Sequence, residues 1–84
     1  MPDLIQEHSA VVRDAGGRAF SGRVYGEQRA DGTWVGWLEF HPEGGSGRVL
    51  RTGQETSQPN REALAYWASG LEPAYLEGAL SRAR

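Results

Sequence analysis

Glu39 and His41 are neighbouring residues of this chain whose types could support acid–base or metal chemistry. They are separated by one residue in a strand-like segment, so both would point to the same face. A carboxylate beside an imidazole can transfer protons. A zinc site, however, needs three or four converging ligands, and the sequence offers only these two here. The pair therefore predicts a partly solvated strand surface and no metal site.

The side chains and loops that other enzyme mechanisms require are missing from the sequence. There is no cysteine to act as a thiol nucleophile, and no serine lies in a Gly-x-Ser-x-Gly elbow. The glycine-rich segment 44–47 is not followed by the Gly-Lys-Ser/Thr of a phosphate-binding loop. These observations predict a non-catalytic protein that holds no cofactor.

An interaction surface is predicted by four residues from two adjacent segments. These residues are Arg23, Tyr25, Val35 and Trp37. Aromatic and arginine side chains are typical anchors of protein interfaces. If a single layer of helices covers one face of the sheet, these four side chains lie on the other face, where an exposed aromatic patch marks an interaction site. The alternative is that the N-terminal segment or the C-terminal helix covers them.

Two classes of partner fit such a surface. The first is a protein, either another chain or a second copy of this one, docked on this face or on an edge strand. The second is single-stranded nucleic acid, with Tyr25 and Trp37 stacking on bases while Arg23 and Arg51 meet phosphates. The net charge of −2 disfavours nucleic acid, because such binders need a basic surface. The sequence therefore predicts a protein-interaction module.

The segment Thr33–His41 is the central strand that must position these residues. It is rich in aromatic and β-branched residues, which favour strands. Alternation of side chains gives it an apolar face and a mixed face. The apolar face consists of Trp34, Gly36, Leu38 and Phe40, and the mixed face of Thr33, Val35, Trp37, Glu39 and His41. We expect the apolar face to point into the core.

The preceding segment, Ala19–Arg29, is predicted to pair with this strand through a hairpin at Ala30-Asp31-Gly32. A two-residue loop and a three-residue loop both fit the Asp-Gly signal. The three-residue loop places Gly32 in the left-handed conformation and matches the facing residues by type. The predicted pairs are Val24 with Leu38, Tyr25 with Trp37, Arg23 with Glu39 and Gly26 with Gly36. The facing glycines predict a gap on the core side, over which flanking aromatics such as Trp34 lie or which a helix backbone approaches closely. A ligand slot is the less favoured alternative, because glycine in strands usually answers a packing need.

The N-terminal part of the chain is predicted to add a strand to this hairpin. Residues 1–7 are expected to form a mobile lead-in, and Ser9–Arg13 a strand. The cluster at 14–17 is typical of a turn. This turn is expected to set Val11 opposite Phe20 on the core face.

A further strand is predicted after the central one, over Arg48–Thr52. Its register is left open by the glycine-rich connection that precedes it. Either Leu50 lies opposite Phe40, or Val49 is the inward residue. The polar residues 53–58 are predicted to lead into a helix.

Two helices are predicted in the C-terminal third of the chain. Pro59 is expected to be the first helical residue, with a hydroxyl of Thr56 or Ser57 as its cap. Gly70 is expected to end this helix in a left-handed cap, and Pro73 to begin the next. The predicted buried stripes are Leu64, Trp67, Ala68 and Leu71, followed by Leu76, Ala79, Leu80 and Ala83.

These elements predict one small domain over residues 1–84. Its fold class is α+β, with an antiparallel three- to four-stranded meander sheet followed by one or two C-terminal helices packed on one face. No apolar run is long enough to span a membrane, and the N-terminus shows no signal-peptide pattern. We therefore expect a cytoplasmic location.

Four motifs carry a resemblance to known sequences. They are Gly36-Trp37-Leu38-Glu39-Phe40, Glu55-Thr56-Ser57-Gln58-Pro59-Asn60-Arg61, Tyr66-Trp67-Ala68-x-Gly70-Leu71 and Tyr75-Leu76-Glu77-Gly78-Ala79-Leu80. Together they resemble a small family of uncharacterised bacterial proteins, over most of residues 19–83. This resemblance implies a domain of unknown function and brings no site residue with it.

The order of three strands followed by a helix is also loosely similar to HicB-type antitoxins, the antitoxin half of HicA–HicB pairs. Gly53, Thr56 and Glu62-Ala63-Leu64 resemble a Gly, Thr, Glu-Ala-Leu pattern of those proteins, with wider spacing here. The likeness implies an antitoxin-like partner protein.

Overall fold

The structure, a computed structural model, describes residues 1–84 as one antiparallel sheet and two helices. The strands are β1 (Asp3–Arg13), β2 (Ala19–Gln28), β3 (Trp34–Pro42), β4 (Leu50–Arg51) and β5 (Thr56–Gln58), and the helices are α1 (Arg61–Ser69) and α2 (Pro73–Arg82). The strands β1, β2 and β3 form a meander, and both β4 and β5 pair with the free edge of β3. The predicted α+β class is confirmed.

Both hairpins of the meander close with the same kind of loop. In the hairpin of β2 and β3, the Arg29 N–H donates to the Thr33 carbonyl at 2.7 Å, and Gly32 has a φ of 90°. In the hairpin of β1 and β2, the Asp14 N–H donates to the Arg18 carbonyl at 3.0 Å around a loop of three residues, and Gly17 has a φ of 82°. A three-residue loop closed by a left-handed glycine is a common hairpin geometry. The predicted three-residue loop is therefore confirmed.

The register of β2 and β3 is the predicted one, with the pairs Val24–Leu38, Tyr25–Trp37, Arg23–Glu39 and Gly26–Gly36. The facing glycines do leave a gap on the side of the helices. A side-chain methyl carbon of Leu64 from α1 lies 2.7 Å from where a Cβ on Gly36 would stand. A helical leucine therefore fills the gap, where we expected Trp34 or helix backbone.

β1 begins earlier in the chain than the sequence predicts, and near the turn a different residue of this strand faces the core. Its pairing with β2 starts at Asp3, so the segment 1–7 lies largely within the strand. Val12 pairs with Phe20, and the predicted pairing of Val11 with Phe20 is wrong. Val12 is 3% exposed and Val11 is 50% exposed. The loop between β1 and β2 has three residues, whereas a pairing of Val11 with Phe20 would need an even number. The difference shifts the register by one residue, which exchanges the inward and outward faces of a strand.

The strand at the other edge of the sheet is split in two. Only Leu50–Arg51 of the predicted strand pairs with β3, and Leu50 lies opposite Phe40, one of the two predicted registers. β5 was not predicted because its three residues are polar. A polar strand is stable here because it lies at the sheet edge, where one side of its backbone can face water.

Thr52 joins the two parts of this edge. Its side chain is buried, with 3% exposure. Its N–H donates to the Leu38 carbonyl at 2.9 Å, and its Oγ1 accepts from the Leu38 N–H at 3.0 Å. The same hydroxyl donates to the Gly53 carbonyl at 2.8 Å. A side-chain oxygen thus replaces a backbone carbonyl in the sheet where β4 and β5 are interrupted.

The ends of the helices differ in part from the prediction. α1 begins after Asn60, whose Oδ1 accepts a 2.8 Å hydrogen bond from a backbone N–H of the first turn. Pro59 therefore precedes the helix, and the predicted caps at 56 and 57 are wrong because these residues form β5. Gly70 has a φ of −93°, so it does not form the expected left-handed cap. Pro73 is the first residue of α2, as predicted.

The helices pack on one face of the sheet and bury a single core. The buried apolar residues are Val12, Phe20, Val24, Leu38, Phe40, Leu64, Ala68, Leu76, Ala79 and Leu80. Trp67, Leu71 and Ala83 pack around this core while remaining partly exposed. Each large apolar side chain buried in this way contributes about 1.5–3 kcal/mol. The predicted helical stripes therefore hold the helices against the sheet.

Candidate protein-interaction surface

The face of the sheet that points away from the helices has no element packed on it. Val24 and Leu38 on the helix side are 0% exposed, whereas the alternate residues of the same strands remain partly exposed. We define this surface, the outer face, by Leu4, Glu7, Val11, Arg23, Tyr25, Val35, Trp37, Glu39, His41 and Arg51. Leu4 and Val11 are 44% and 50% exposed, so apolar surface extends onto β1.

The structure brings the four predicted interaction residues together on the outer face. Tyr25 lies directly opposite Trp37. Arg23 is two residues from Tyr25, and Val35 is two residues from Trp37, so all four point to the same side. All four are partly exposed. The alternative that another segment covers them does not occur, because the N-terminal segment forms β1 and α2 packs on the opposite side.

Charges of alternating sign cross the outer face from one edge of the sheet to the other. This charge row consists of Glu7 on β1, Arg23 on β2, Glu39 on β3 and Arg51 on β4, each opposite the next. Arg51 Nη2 lies 2.6 Å from Glu39 Oε2, and Arg23 Nε lies 4.0 Å from Glu7 Oε1. Exposed ion pairs contribute only about 0.2–1 kcal/mol each. The charge row therefore matters less for fold stability than for the pattern it presents to a partner.

An apolar row runs beside the charge row. It consists of Leu4 on β1, Tyr25 on β2 and Trp37 on β3. On β2 and β3 it lies two residues, or roughly 7 Å, from the charge row. The guanidinium carbon of Arg51 lies 6.0 Å from the centre of the Trp37 ring, within reach of a cation–π contact. The two rows thus form one continuous surface.

The indole nitrogen of Trp37 is enclosed by protein atoms and has no hydrogen-bond acceptor. A buried donor without a partner costs about 1–3 kcal/mol. Trp37 therefore contributes to the outer face through its ring surface and not through this nitrogen.

Glu39 and His41 lie side by side on the outer face, as their spacing predicts. His41 Nε2 lies 3.4 Å from Glu39 Oε1. No group of three or more side chains in the structure could hold a metal ion. His8 is separate from this pair, because its Nε2 lies 3.0 Å from the Ala68 carbonyl oxygen of α1. The histidines therefore do not converge on one site.

A polar cluster on the helix side of the sheet was missed by sequence reasoning. The Tyr75 hydroxyl donates to Glu55 Oε1 at 2.5 Å, and Arg82 Nη2 donates to the same oxygen. Burial, together with Glu55, raises the pKa of Tyr75 to about 12. Tyr75 and Arg82 are 20 and 27 residues from Glu55, so no local pattern could reveal the cluster. It joins α2 to the segment before β5 and stabilises the scaffold.

Two open clefts, of about 320 Å³ and 490 Å³, lie at one end of the sheet. Arg18 lines both of them. Its guanidinium is already paired with Asp14 at 2.9 Å. A small-molecule site usually encloses most of its ligand and directs a few free polar groups into it. Both clefts are open to solvent, and the arginine that they share is already in an ion pair. They therefore do not support a small-molecule site.

Comparisons with known proteins do not narrow the function. No family model, no curated protein and no solved structure matches the chain. The resemblances to a small bacterial family and to HicB-type antitoxins stay predictions. Neither α1 nor α2 has the length and apolar character that a membrane crossing requires. The functional argument therefore rests on the outer face.

Proposed function

We propose that this protein is a non-catalytic interaction module that self-associates through its outer face. The observation that carries the proposal is the position of Tyr25 and Trp37, which face each other across two strands on the side that the helices leave uncovered. Leu4 extends this apolar surface and is 44% exposed. Apolar surface bordered by polar groups is typical of protein interaction sites.

The charge balance of the outer face favours a second copy as the partner. The charge row contains two carboxylates and two guanidinium groups, so neither sign is in excess. A strongly acidic or strongly basic partner would gain little from such a surface. A second copy presents the same mixture, and pairing of opposite potentials is what selects partners at interfaces.

The outer face is large enough for a weak dimer. The sheet is four strands wide, and β3 is 9 residues long. At about 4.8 Å between strands and about 3.3 Å per residue, its area is roughly 20 by 30 Å. A dimer that covers this area on both copies buries roughly 1,200 Å², at the lower end of specific interfaces. Area alone does not determine affinity. Because the charges of this face are already partly paired within one copy, we expect an affinity at the weak end of the range, with a dissociation constant of roughly micromolar size.

Single-stranded nucleic acid is the weaker alternative. Arg51 is already 2.6 Å from Glu39, and Arg23 lies between Glu7 and Glu39 in the charge row. A phosphate chain carries only negative charge, so Glu7 and Glu39 would repel it as it approached the arginines, whereas a second copy presents both signs. The net charge of −2 also opposes a polyanion.

Sedimentation equilibrium of the wild-type chain and two variants tests the proposal. Trp37→Ser removes the largest side chain of the apolar row. Tyr66→Ser is the matched control, because Tyr66 is an aromatic residue on α1 with 83% exposure. We expect a monomer–dimer equilibrium for the wild type and for Tyr66→Ser, and a dimer weakened by at least about tenfold for Trp37→Ser. Circular dichroism is expected to show the same fold in all three.

Two results would overturn this function. One is a wild-type chain that stays monomeric at about 1 mM, far above the expected dissociation constant. The other is a loss of dimer that is as large in Tyr66→Ser as in Trp37→Ser. Binding of a random single-stranded oligonucleotide, weakening steeply with salt, would replace the proposal with the nucleic-acid alternative.

A further inference from the structure

The charge row is antisymmetric about the line between β2 and β3. Next to this line, Arg23 on one side corresponds to Glu39 on the other. One strand further out, Glu7 on β1 corresponds to Arg51 on β4. Each charge therefore has the opposite charge at the equivalent distance across the line.

We propose that two copies pack outer face to outer face about a two-fold axis that runs parallel to the strands, above the line between β2 and β3. This inference rests on the proposed function. The rotation exchanges the two sides of the line. Arg23 then faces Glu39 of the partner subunit, and Glu7 faces Arg51 of the partner subunit. A two-fold interface must be complementary to itself, and this row meets that requirement.

A two-fold axis at right angles to the strands gives the opposite result. It places each strand over the same strand of the other copy. When this axis passes through the charge row, Arg23 faces Arg23 of the partner subunit, and Glu39 faces Glu39 of the partner subunit. When it passes midway between the two rows, the charges face Tyr25 and Trp37 of the partner subunit, so in neither case do opposite charges of the central strands meet. Like charges in contact disfavour an interface. The order of charges along the row therefore selects the orientation of the dimer.

The apolar row is compatible with the same rotation. It brings Tyr25 over Trp37 of the partner subunit, so the aromatic rings meet in pairs. Packed sheets lie about 10 Å apart, a distance that two facing aromatic side chains span. Both rows thus contribute to one interface.

The central charges are the better test of this geometry. Packed sheets are rotated by about 30° relative to each other. Charges on β2 and β3 stand about 2.4 Å from the axis, so this rotation displaces them by only roughly 1 Å. Charges on β1 and β4 stand about 7 Å from the axis and are displaced by roughly 4 Å. Arg23 and Glu39 are therefore the residues that determine the specificity of pairing.

Exchange of the central charges tests the axis. Arg23→Glu or Glu39→Arg alone sets like charges against each other at both symmetry-related contacts, and we expect each to weaken the homodimer by at least about tenfold. An equal mixture of the two variants forms a heterodimer in which both contacts join opposite charges. Its affinity, measured by sedimentation with one variant labelled, is expected within about threefold of the wild type. Glu77→Arg, on the exposed side of α2, is the control and is expected to change nothing.

The possible outcomes separate this inference from the proposed function. If the wild type dimerises and Trp37→Ser prevents it, but the single charge variants dimerise as tightly as the wild type, or the mixture is no tighter than either variant alone, the axis is wrong and the function stands. If the wild type is monomeric, both are overturned. Thermal unfolding reports whether each variant folds. If one single variant does not fold, the other carries the test, because a homodimer as tight as the wild type overturns the axis and a weakened homodimer supports it.

Discussion

A methyl carbon of Leu64 lies 2.7 Å from the position that a Cβ atom on Gly36 would occupy. Gly26 faces Gly36 across β2 and β3, so the two strands share a flat area without side chains. Leu64 is 0% exposed and fills it. Cβ atoms essentially never approach other heavy atoms this closely. The Leu64 side chain of α1 therefore occupies its position against the sheet because both residues are glycine.

Gly36→Ala is expected to lower the free energy of unfolding by about 1–3 kcal/mol, because the added methyl group overpacks the core beneath Leu64. Urea denaturation measures the change. Gly53→Ala is the control, because nothing lies within 4 Å of a Cβ there. Its effect is expected to stay within about 0.5 kcal/mol.

Leu64→Ala shows whether contact with Leu64 is the cause. Alone, it leaves a cavity and is expected to cost about 2–5 kcal/mol. Combined with Gly36→Ala, its cost should be smaller than the sum of the two, because the alanine methyl then occupies space that Leu64 has left. Strictly additive costs would show that Gly36 is required for a reason other than this contact.

The meander at β2 and β3 could be predicted from the sequence because its determinants are local. The loop at 30–32 contains the glycine that the left-handed position requires. The facing residues match by type in only one of the two registers considered, and that register is observed. The outer face at Arg23, Tyr25, Val35 and Trp37 follows directly, because side chains alternate along a strand.

The edges of the sheet could not be predicted in the same way. Val11 and Val12 are identical neighbours, so composition does not say which one faces the core. The pairing of β1 also shifts at two irregularities, which place Glu7 opposite Arg23. The charge row therefore became visible only in the structure, because one of its members lies in the predicted lead-in and another on a strand whose register was open.

Long-range polar contacts were equally hidden from sequence reasoning. The sequence around Thr52 is typical of a strand and gives no sign that its hydroxyl accepts a sheet hydrogen bond from the Leu38 N–H. Glu55 lies in a segment that reads as a polar connection, yet it receives hydrogen bonds from two residues of α2. Such roles depend on which elements meet in space, and local patterns of residues do not specify this.

Thr52→Val is expected to lower the free energy of unfolding by about 1–3 kcal/mol, because it leaves the N–H of Leu38 buried without an acceptor. Thr52→Ser keeps the hydroxyl and loses only one methyl group, so we expect a cost of about 0.8 kcal/mol. Chemical denaturation distinguishes the two. A valine variant as stable as the serine variant would contradict the role of the hydroxyl, since valine has nearly the same shape as threonine.

Acid is expected to weaken both hairpin loops. Hydrogen bonds from Arg18 lower the pKa of Asp14, and hydrogen bonds from the Thr33 hydroxyl and N–H lower the pKa of Asp31. A lowered pKa in the folded state contributes stability above the unfolded value of 3.8, and this contribution is lost as the pH falls through the folded values. Thermal unfolding between about pH 5 and about pH 2 measures the loss.

The double variant Asp14→Asn/Asp31→Asn isolates these two carboxylates from the other acidic groups. Asparagine keeps one acceptor oxygen for the hydrogen bonds made to Oδ1 and does not titrate. At position 14 it loses the hydrogen bond from Arg18 Nε to Oδ2 at every pH, so the comparison uses the change with pH and not the absolute stability. We expect the unfolding temperature of the variant to fall less between these pH values than that of the wild type. Parallel profiles for the two proteins would show that neither aspartate is linked to acid unfolding.

Alkali is expected to release α2 through Tyr75. Burial, together with Glu55, raises its pKa from 10.0 to about 12, which means that the folded state favours the neutral phenol. This contribution to stability is complete below the unfolded pKa and is lost as the pH rises from 10 to about 12. Tyr75→Phe removes the titrating group, so the free energy of unfolding of the variant should fall less over this range. Tyr66→Phe, at a tyrosine that is 83% exposed, should leave the wild-type dependence intact, and a Tyr75→Phe profile parallel to the wild type would show that the Glu55 cluster does not couple to folding.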